Sequence, residues 1–232
     1  MNKTGSFEAV IFDCDGVLAN SEPLDNEIVS ILLKELGYVI SPDAVRIKSS
    51  GLTDEAMWAL FEGELTRPIP IKIKKRWEEL LIGKFRERLL PMPGVVPVVK
   101  RLWSENIPLS VASNGPLQRM TTILDILELT TYFNKRLFSS NMVREGKPSP
   151  DIYLLAAAQI GESPSRCVVI EDSLPGVQAG IAAGMTVLGY CPKGDVWRLN
   201  QLGIKTFNHM NDLIDLLELG THPSLGPSRG DS

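Results

Sequence analysis

The stretch VIFDCDGVL, Val10 to Leu18, decides the fold. A run of strand-forming apolar residues breaks off into two acids, Asp13 and Asp15, and then Gly16. A plain surface turn is served by one Asp and a glycine. If Asp13 keeps strand geometry, the side chains at i and i+2 point the same way, and the pair becomes a candidate site.

Outward from this stretch the same pattern recurs. AVIFD (9–13), PLSVASN (108–114), RLFSS (136–140), CVVIED (167–172) and TVLGY (186–190) are short and almost continuously apolar. That is how strands buried on both faces read. Helical spacing fills the gaps at 93–106, 117–129, 150–161 and 176–184. Strand–helix alternation with short loops predicts an α/β fold, a Rossmann-like parallel sheet with helices on both faces. Polar residues gather where the runs end: Asp13 and Asp15, Ser113 and Asn114, Glu171 and Asp172. In open parallel sheets ligands bind at that edge.

Residues 19–92 break the alternation. Helical patterns at 26–37, 54–65 and 73–89 follow one another with no strand between them, and PMPG (91–94) closes the segment. The expected division is a core at 1–18 and 93–220, a helical cap at 19–92, and a disordered tail at 221–232, where apolar periodicity is lost.

Composition narrows the function. The chain has 232 residues, 24 basic and 28 acidic side chains and a net charge of −4, so it has no basic footprint for nucleic acid. The KIKKR run (72–76) lies in a helical pattern and reads as a solvated face. The N-terminal residues carry neither a signal-peptide nor a membrane-anchor pattern. Cys14, Cys167 and Cys191 are odd in number and widely spaced, which suits reduced thiols in a cytoplasmic protein. A monomer or weak homodimer is the expected state. The histidines, His209 and His222, receive no role.

Acids at two strand ends of one sheet can converge. Converging carboxylates repel one another unless a cation lies among them. All-oxygen ligands favour a hard ion such as Mg²⁺. Lys147 in REGKPSPD has an ordinary role as a surface lysine before a helix, and Ser113 one as a turn serine. At one sheet edge, a lysine, a hydroxyl and free amides also make a phosphate cradle.

The order of the pieces, DCDGVL, SN, KPSPD and EDSLPGVQAG, resembles the haloacid dehalogenase-like superfamily of phosphotransferases over nearly the whole chain. The helical insert after the first motif resembles its small α-helical cap subclass, which includes β-phosphoglucomutase and phosphoglycolate phosphatase. The resemblance implies roles at matching positions. Asp13 is the expected nucleophile, forming an aspartyl-phosphate. Asp15 is the expected general acid and then base. Ser113 would hold a phosphoryl oxygen with Asn114 beside it, and Lys147 would neutralise charge on Asp13 and the phosphoryl group. Mg²⁺ would be held by Asp13, the backbone carbonyl of Asp15 and Asp172, with Glu171 direct or through water. Cys14 reads as backbone support. Gly51, Leu52 and Thr53 resemble a cap loop that sets specificity, although Thr53 also suits an ordinary helix N-cap.

Dehalogenases that resemble this fold lack the second aspartate, so Asp15 favours phosphoryl transfer. The mutase carries a histidine twelve residues after its nucleophile and an arginine in the cap loop; here those positions are Asp25 and Asp54. The expected function is thus a Mg²⁺-dependent phosphatase for a small phosphate ester, a sugar or sugar-acid phosphate, with no nucleic-acid or membrane partner. SNGP with the following Met120 resembles phosphatases of sugar-acid phosphates such as 6-phosphogluconate. A sugar phosphomutase, and a non-catalytic binding protein on the same fold, are the alternatives.

Overall fold

The computed structural model describes residues 7–49, 52–194 and 196–218. The core opens with β1 (Ala9–Phe12). Four helices follow without an intervening strand: α1 (Glu22–Glu35), α2 (Pro42–Ser49), α3 (Asp54–Leu65) and α4 (Ile71–Arg88). Alternation then sets in, with α5 (Val95–Ser104), β2 (Leu109–Ser113), α6 (Leu117–Ile126), α7 (Thr130–Phe133), β3 (Leu137–Ser139) and α8 (Asp151–Ile160). The remaining elements are β4 (Cys167–Glu171), α9 (Leu174–Ala182), β5 (Thr186–Tyr190), α10 (Trp197–Asn200), β6 (Lys205–Phe207) and α11 (Asp212–Leu216).

Among the described residues, six parallel strands form one sheet in the order β3-β2-β1-β4-β5-β6. β1 lies centrally, between β2 and β4, and the chain turns outward on either side of it. That reversal opens a crevice at the carboxyl ends of these strands. Alternation along β1 is explicit. Ala9 and Ile11 pack with Ile152, Ala156 and Val177 of α8 and α9, while Val10 and Phe12 pack with Val98, Leu102 and Ile123 of α5 and α6. Both faces are therefore buried, which is why the strands read as apolar runs rather than as alternations.

The five strands expected from sequence are all present, trimmed by a residue at most of their ends. β6 escapes sequence reading because KTF is a three-residue edge strand whose Lys205 is exposed. α2 escapes it for a related reason: Val45 is its buried residue, so no apolar periodicity shows.

Two chain segments join α1–α4 to the sheet, and they run side by side. Asn20 N–H donates to the Leu90 carbonyl (2.9 Å), and Met92 N–H to that of Leu18 (3.0 Å). The inserted helices have their own apolar centre, in which Trp58 meets Trp77 edge-on at 5.6 Å. It is continuous with the Phe12 face of the sheet. No helix among the described residues is long and apolar enough to cross a membrane. The expected tail at 221–232, with His222, lies outside the described residues, as does Gly51.

Candidate active site

The site starts where β1 ends. Asp13 is one residue past the strand, yet its N–H still donates to the Ile170 carbonyl (3.0 Å), so the ladder carries it to the sheet edge. Gly16 then turns the chain with a φ of 82°. A side chain there would be strained, and its Cβ would run into the Asp172 carboxylate. Asp15 points into the same cavity as Asp13, and the buried Ser21 hydroxyl donates to its Oδ1.

Lys147 meets these acids from across the sheet. Its Nζ lies 2.5 Å from Asp13 Oδ1 and 2.7 Å from Glu171 Oε1, and 4.9 Å from the centre of the Tyr153 ring. Asn114 clamps the lysine's backbone. Its Oδ1 accepts from Lys147 N–H (2.8 Å), and its Nδ2 donates to the Lys147 carbonyl (3.2 Å). The Asn114 side chain is thus a brace for Lys147 that keeps one Nδ2 hydrogen uncommitted in the cavity wall. Ser113 Oγ accepts from Gly115 N–H (3.0 Å), which leaves its own proton for a ligand.

Glu171 is fully buried and its two oxygens are both engaged. Oε1 accepts from Lys147 and from Tyr153 OH (3.1 Å). Oε2 accepts from the N–H groups of Asp172 (2.9 Å) and Ser173 (2.8 Å) and from Ser173 Oγ (2.9 Å). Gly176 makes room for it, since a Cβ there would collide with the carboxylate.

Electrostatics follow from this crowding. Burial pushes the Asp13 carboxyl upward against the pull of Lys147. Asp172 is pushed well up by burial and then by Glu171, Glu22 and Asp13. Burial works against the Lys147 ammonium, but Asp13 and Glu171 outweigh it and hold the group charged. Burial also pushes the Cys14 thiol up, which makes it a poor nucleophile.

Asp13, Glu171 and Asp172 each offer an oxygen, and all three oxygens lie within 4.8 Å of one another. When all three are ionised, the carboxylates exceed the one ammonium by two negative charges in a largely buried space; that repulsion adds to burial in raising Asp13 and Asp172, and a divalent cation would relieve it. The donor set is all oxygen and fits a hard ion. Glu171 is the least available of the three, because protein donors already fill its oxygens.

The same cavity, of about 150 Å³, is walled on its far side by α1, α3, α4 and α6. Arg119 of α6 extends both terminal nitrogens to Asp54, with Nη1 3.2 Å from Oδ1 and Nη2 2.6 Å from Oδ2. Its guanidinium carbon lies 4.8 Å from the centre of the Trp77 ring, and Trp77 Nε1 donates to Asp25 Oδ1 (2.6 Å). Thr53 caps α3 by accepting from Ala56 N–H (3.2 Å) and also lines the cavity.

Every described residue expected in the site therefore lines one cavity. Sequence reasoning missed Ser21, Tyr153 and Arg119. Arg119 left a usable signal: it falls with Met120, Ile123 and Leu124 on the buried face of α6, where an arginine needs a partner.

A family model for haloacid dehalogenase-like hydrolases matches residues 7–184. The chain belongs to this family. The hydrolase is 28% identical over 211 residues to 6-phosphogluconate phosphatase of Escherichia coli, covering 90% of this chain and 94% of that one. It is 34% identical over 178 residues to a phosphorylated carbohydrates phosphatase of Thermotoga maritima, covering 77% and 82%. Among solved structures it superposes on a conserved haloacid dehalogenase-like protein of Agrobacterium tumefaciens with a TM-score of 0.79 and 32% identity, covering 92% and 99%.

Proposed function

We propose that this hydrolase is a phosphatase that cleaves a small phosphorylated sugar or sugar acid through an aspartyl-phosphate. As an enzyme it is a phosphoric monoester hydrolase. The observation that carries this reading is the placement of Lys147, bonded to Asp13, at the strand edge where Asp15 faces the same cavity. The phosphatase names of the relatives support the substrate class.

Asp13 Oδ attacks phosphorus, and the bond from phosphorus to the ester oxygen breaks. The electron pair leaves with that oxygen, which takes a proton from Asp15. Water then attacks phosphorus, gives its proton to the Asp15 carboxylate and displaces Asp13, releasing inorganic phosphate. Ser21 holds Asp15 in position for both transfers. Lys147 and the Ser113 hydroxyl meet charge on the phosphoryl oxygens. Mg²⁺ would be held by Asp13, the Asp15 carbonyl and Asp172, with Glu171 acting through water and anchoring Lys147; when bound, the ion supplies neutralisation of phosphoryl charge.

In this reading the helices at 19–92 are a cap over a core at 1–18 and 93–220. The paired connections near 19–22 and 90–94 are its hinges, and closure excludes water. The three free, buried thiols suit a reducing cytoplasm. The mutase reading is disfavoured, since Asp25 and Asp54 stand at the positions of the mutase's histidine and arginine, and Asp54 already occupies the fork of Arg119.

The test is phosphate release across a panel of phosphorylated metabolites by wild type and by Asp13→Asn. The variant is expected to lose at least about 10⁴-fold in kcat while keeping its circular dichroism. Unchanged turnover in the variant would remove the nucleophile and with it the mechanism.

A further inference from the structure

The far half of the cavity holds a buried cation whose two terminal nitrogens are already matched to a carboxylate, while its buried Nε has no hydrogen-bond partner among the described residues. Arg119 is 8% exposed, and the planar fork of its guanidinium is met by both oxygens of Asp54. This is the arrangement an arginine would offer to a substrate carboxylate or phosphate, filled here by the protein itself. An acidic substrate group would have to displace Asp54. That would leave a second carboxylate stranded beside Asp25 in a partly buried wall, a costly exchange.

Hydroxyl groups face no such competition. Asp25 gives Oδ1 to Trp77, and among the described residues its Oδ2 has no hydrogen-bond partner. Burial raises the Asp25 carboxyl to about 7, against the Trp77 hydrogen bond and the Arg119 charge, so near neutral pH it both donates and accepts. Asn26, another buried polar side chain, lines the same wall. Arg46 adds a further cation, but it stands at the rim, a third exposed, with Asp43 3.9 Å from its Nε.

We propose that the Asp54–Arg119 pair makes the far half of the cavity a receptor for an uncharged polyhydroxyl chain, so that a polyol phosphate is preferred to the matching sugar-acid phosphate. This rests on the phosphatase reading and sharpens it. Asp54 and Arg119 are specificity-determining residues, remote from the reacting phosphorus.

Two probes differ at one end only: D-glucitol 6-phosphate carries a hydroxymethyl group where 6-phosphogluconate carries a carboxylate. Wild type is expected to favour the polyol phosphate by about tenfold in kcat/KM, a difference of about 1.4 kcal/mol. D54N frees the guanidinium and should shift the ratio about tenfold toward the acid, whereas R119Q strands the carboxylate and should shift it the other way. The single variants move in opposite directions, so either one suffices if the other does not fold. Titration calorimetry of both compounds on the Asp13→Asn protein reads the same preference without turnover. Wild type that favours the acid, or a ratio that stays within about twofold in every folded variant, overturns the inference. A binding preference as expected, with no phosphate released from any ester, overturns the phosphatase reading and leaves the inference standing.

Discussion

Lys147 and Arg119 are both buried cations in one cavity, and they keep opposite company. At the sheet end, the Lys147 ammonium is shared between Asp13 and Glu171, with Asp172 close by and further acid unbalanced. At the helical end, Arg119 is closed off by Asp54 in a two-point fork. An ammonium is a point charge with three rotatable donors and can turn toward an arriving phosphoryl group; a guanidinium in a fork is committed. The sheet end thus has negative charge left over for a cation, which in the proposed reaction would join Lys147 in receiving the phosphate, and the far end has little to offer a second anion. In the proposed reading, reaction and selection are separated along one cavity.

The comparison breaks most visibly if the sheet end needs no cation. EDTA is expected to silence phosphate release and Mg²⁺ to restore it; full activity in metal-free buffer would remove the metal from the acidic cluster. Lys147→Met comes next. It should lower kcat by about 10²–10³-fold and destabilise the fold by about 3–5 kcal/mol, because Asp13 and Glu171 lose their buried partner. Stability within about 1 kcal/mol of wild type, by urea denaturation, would mean that the acids do not depend on Lys147.

The smallest effect is at the far end. The Asp25 carboxyl holds its proton to about pH 7 when folded, against an ordinary value of 3.8. Folding therefore takes up a proton between those values. This contribution to stability is full below pH 4 and is lost as the pH rises through 7. Asp25→Asn should remove about 1–2 kcal/mol of the stability difference between pH 5 and pH 7, measured by urea denaturation at both. An unchanged difference would place Asp25 in contact with solvent and weaken its part in hydroxyl recognition.

Much of the sheet end was legible in advance because it is built from strand ends. A buried parallel strand announces itself as an apolar run, and whatever follows it must lie at the crevice. Asp13, Ser113 and Glu171–Asp172 were located this way, and Lys147 by its motif. Their partners were less legible. Asn114 was expected beside the phosphate; it lines the cavity and also clamps the Lys147 backbone, a role the sequence did not show. Nothing in SNG distinguishes an amide that faces a ligand from one that faces a loop thirty-three residues on.

The far end was legible only in part. Asp25 and Asp54 were readable as acids where the related mutase has a histidine and an arginine, and two acids alone implied a negative wall. Arg119 changes that balance. It lies sixty-five residues from Asp54, on a helix after the second strand, and joins it only when the inserted helices settle over the sheet edge. The local pattern of apolar runs, acids and glycines by itself determined the α/β class, the helical insert and the acids of the reacting end. Tertiary structure alone decided which charges cancel, because hydrogen-bond partners and burial depend on segments that are distant in the chain and adjacent only in the folded protein.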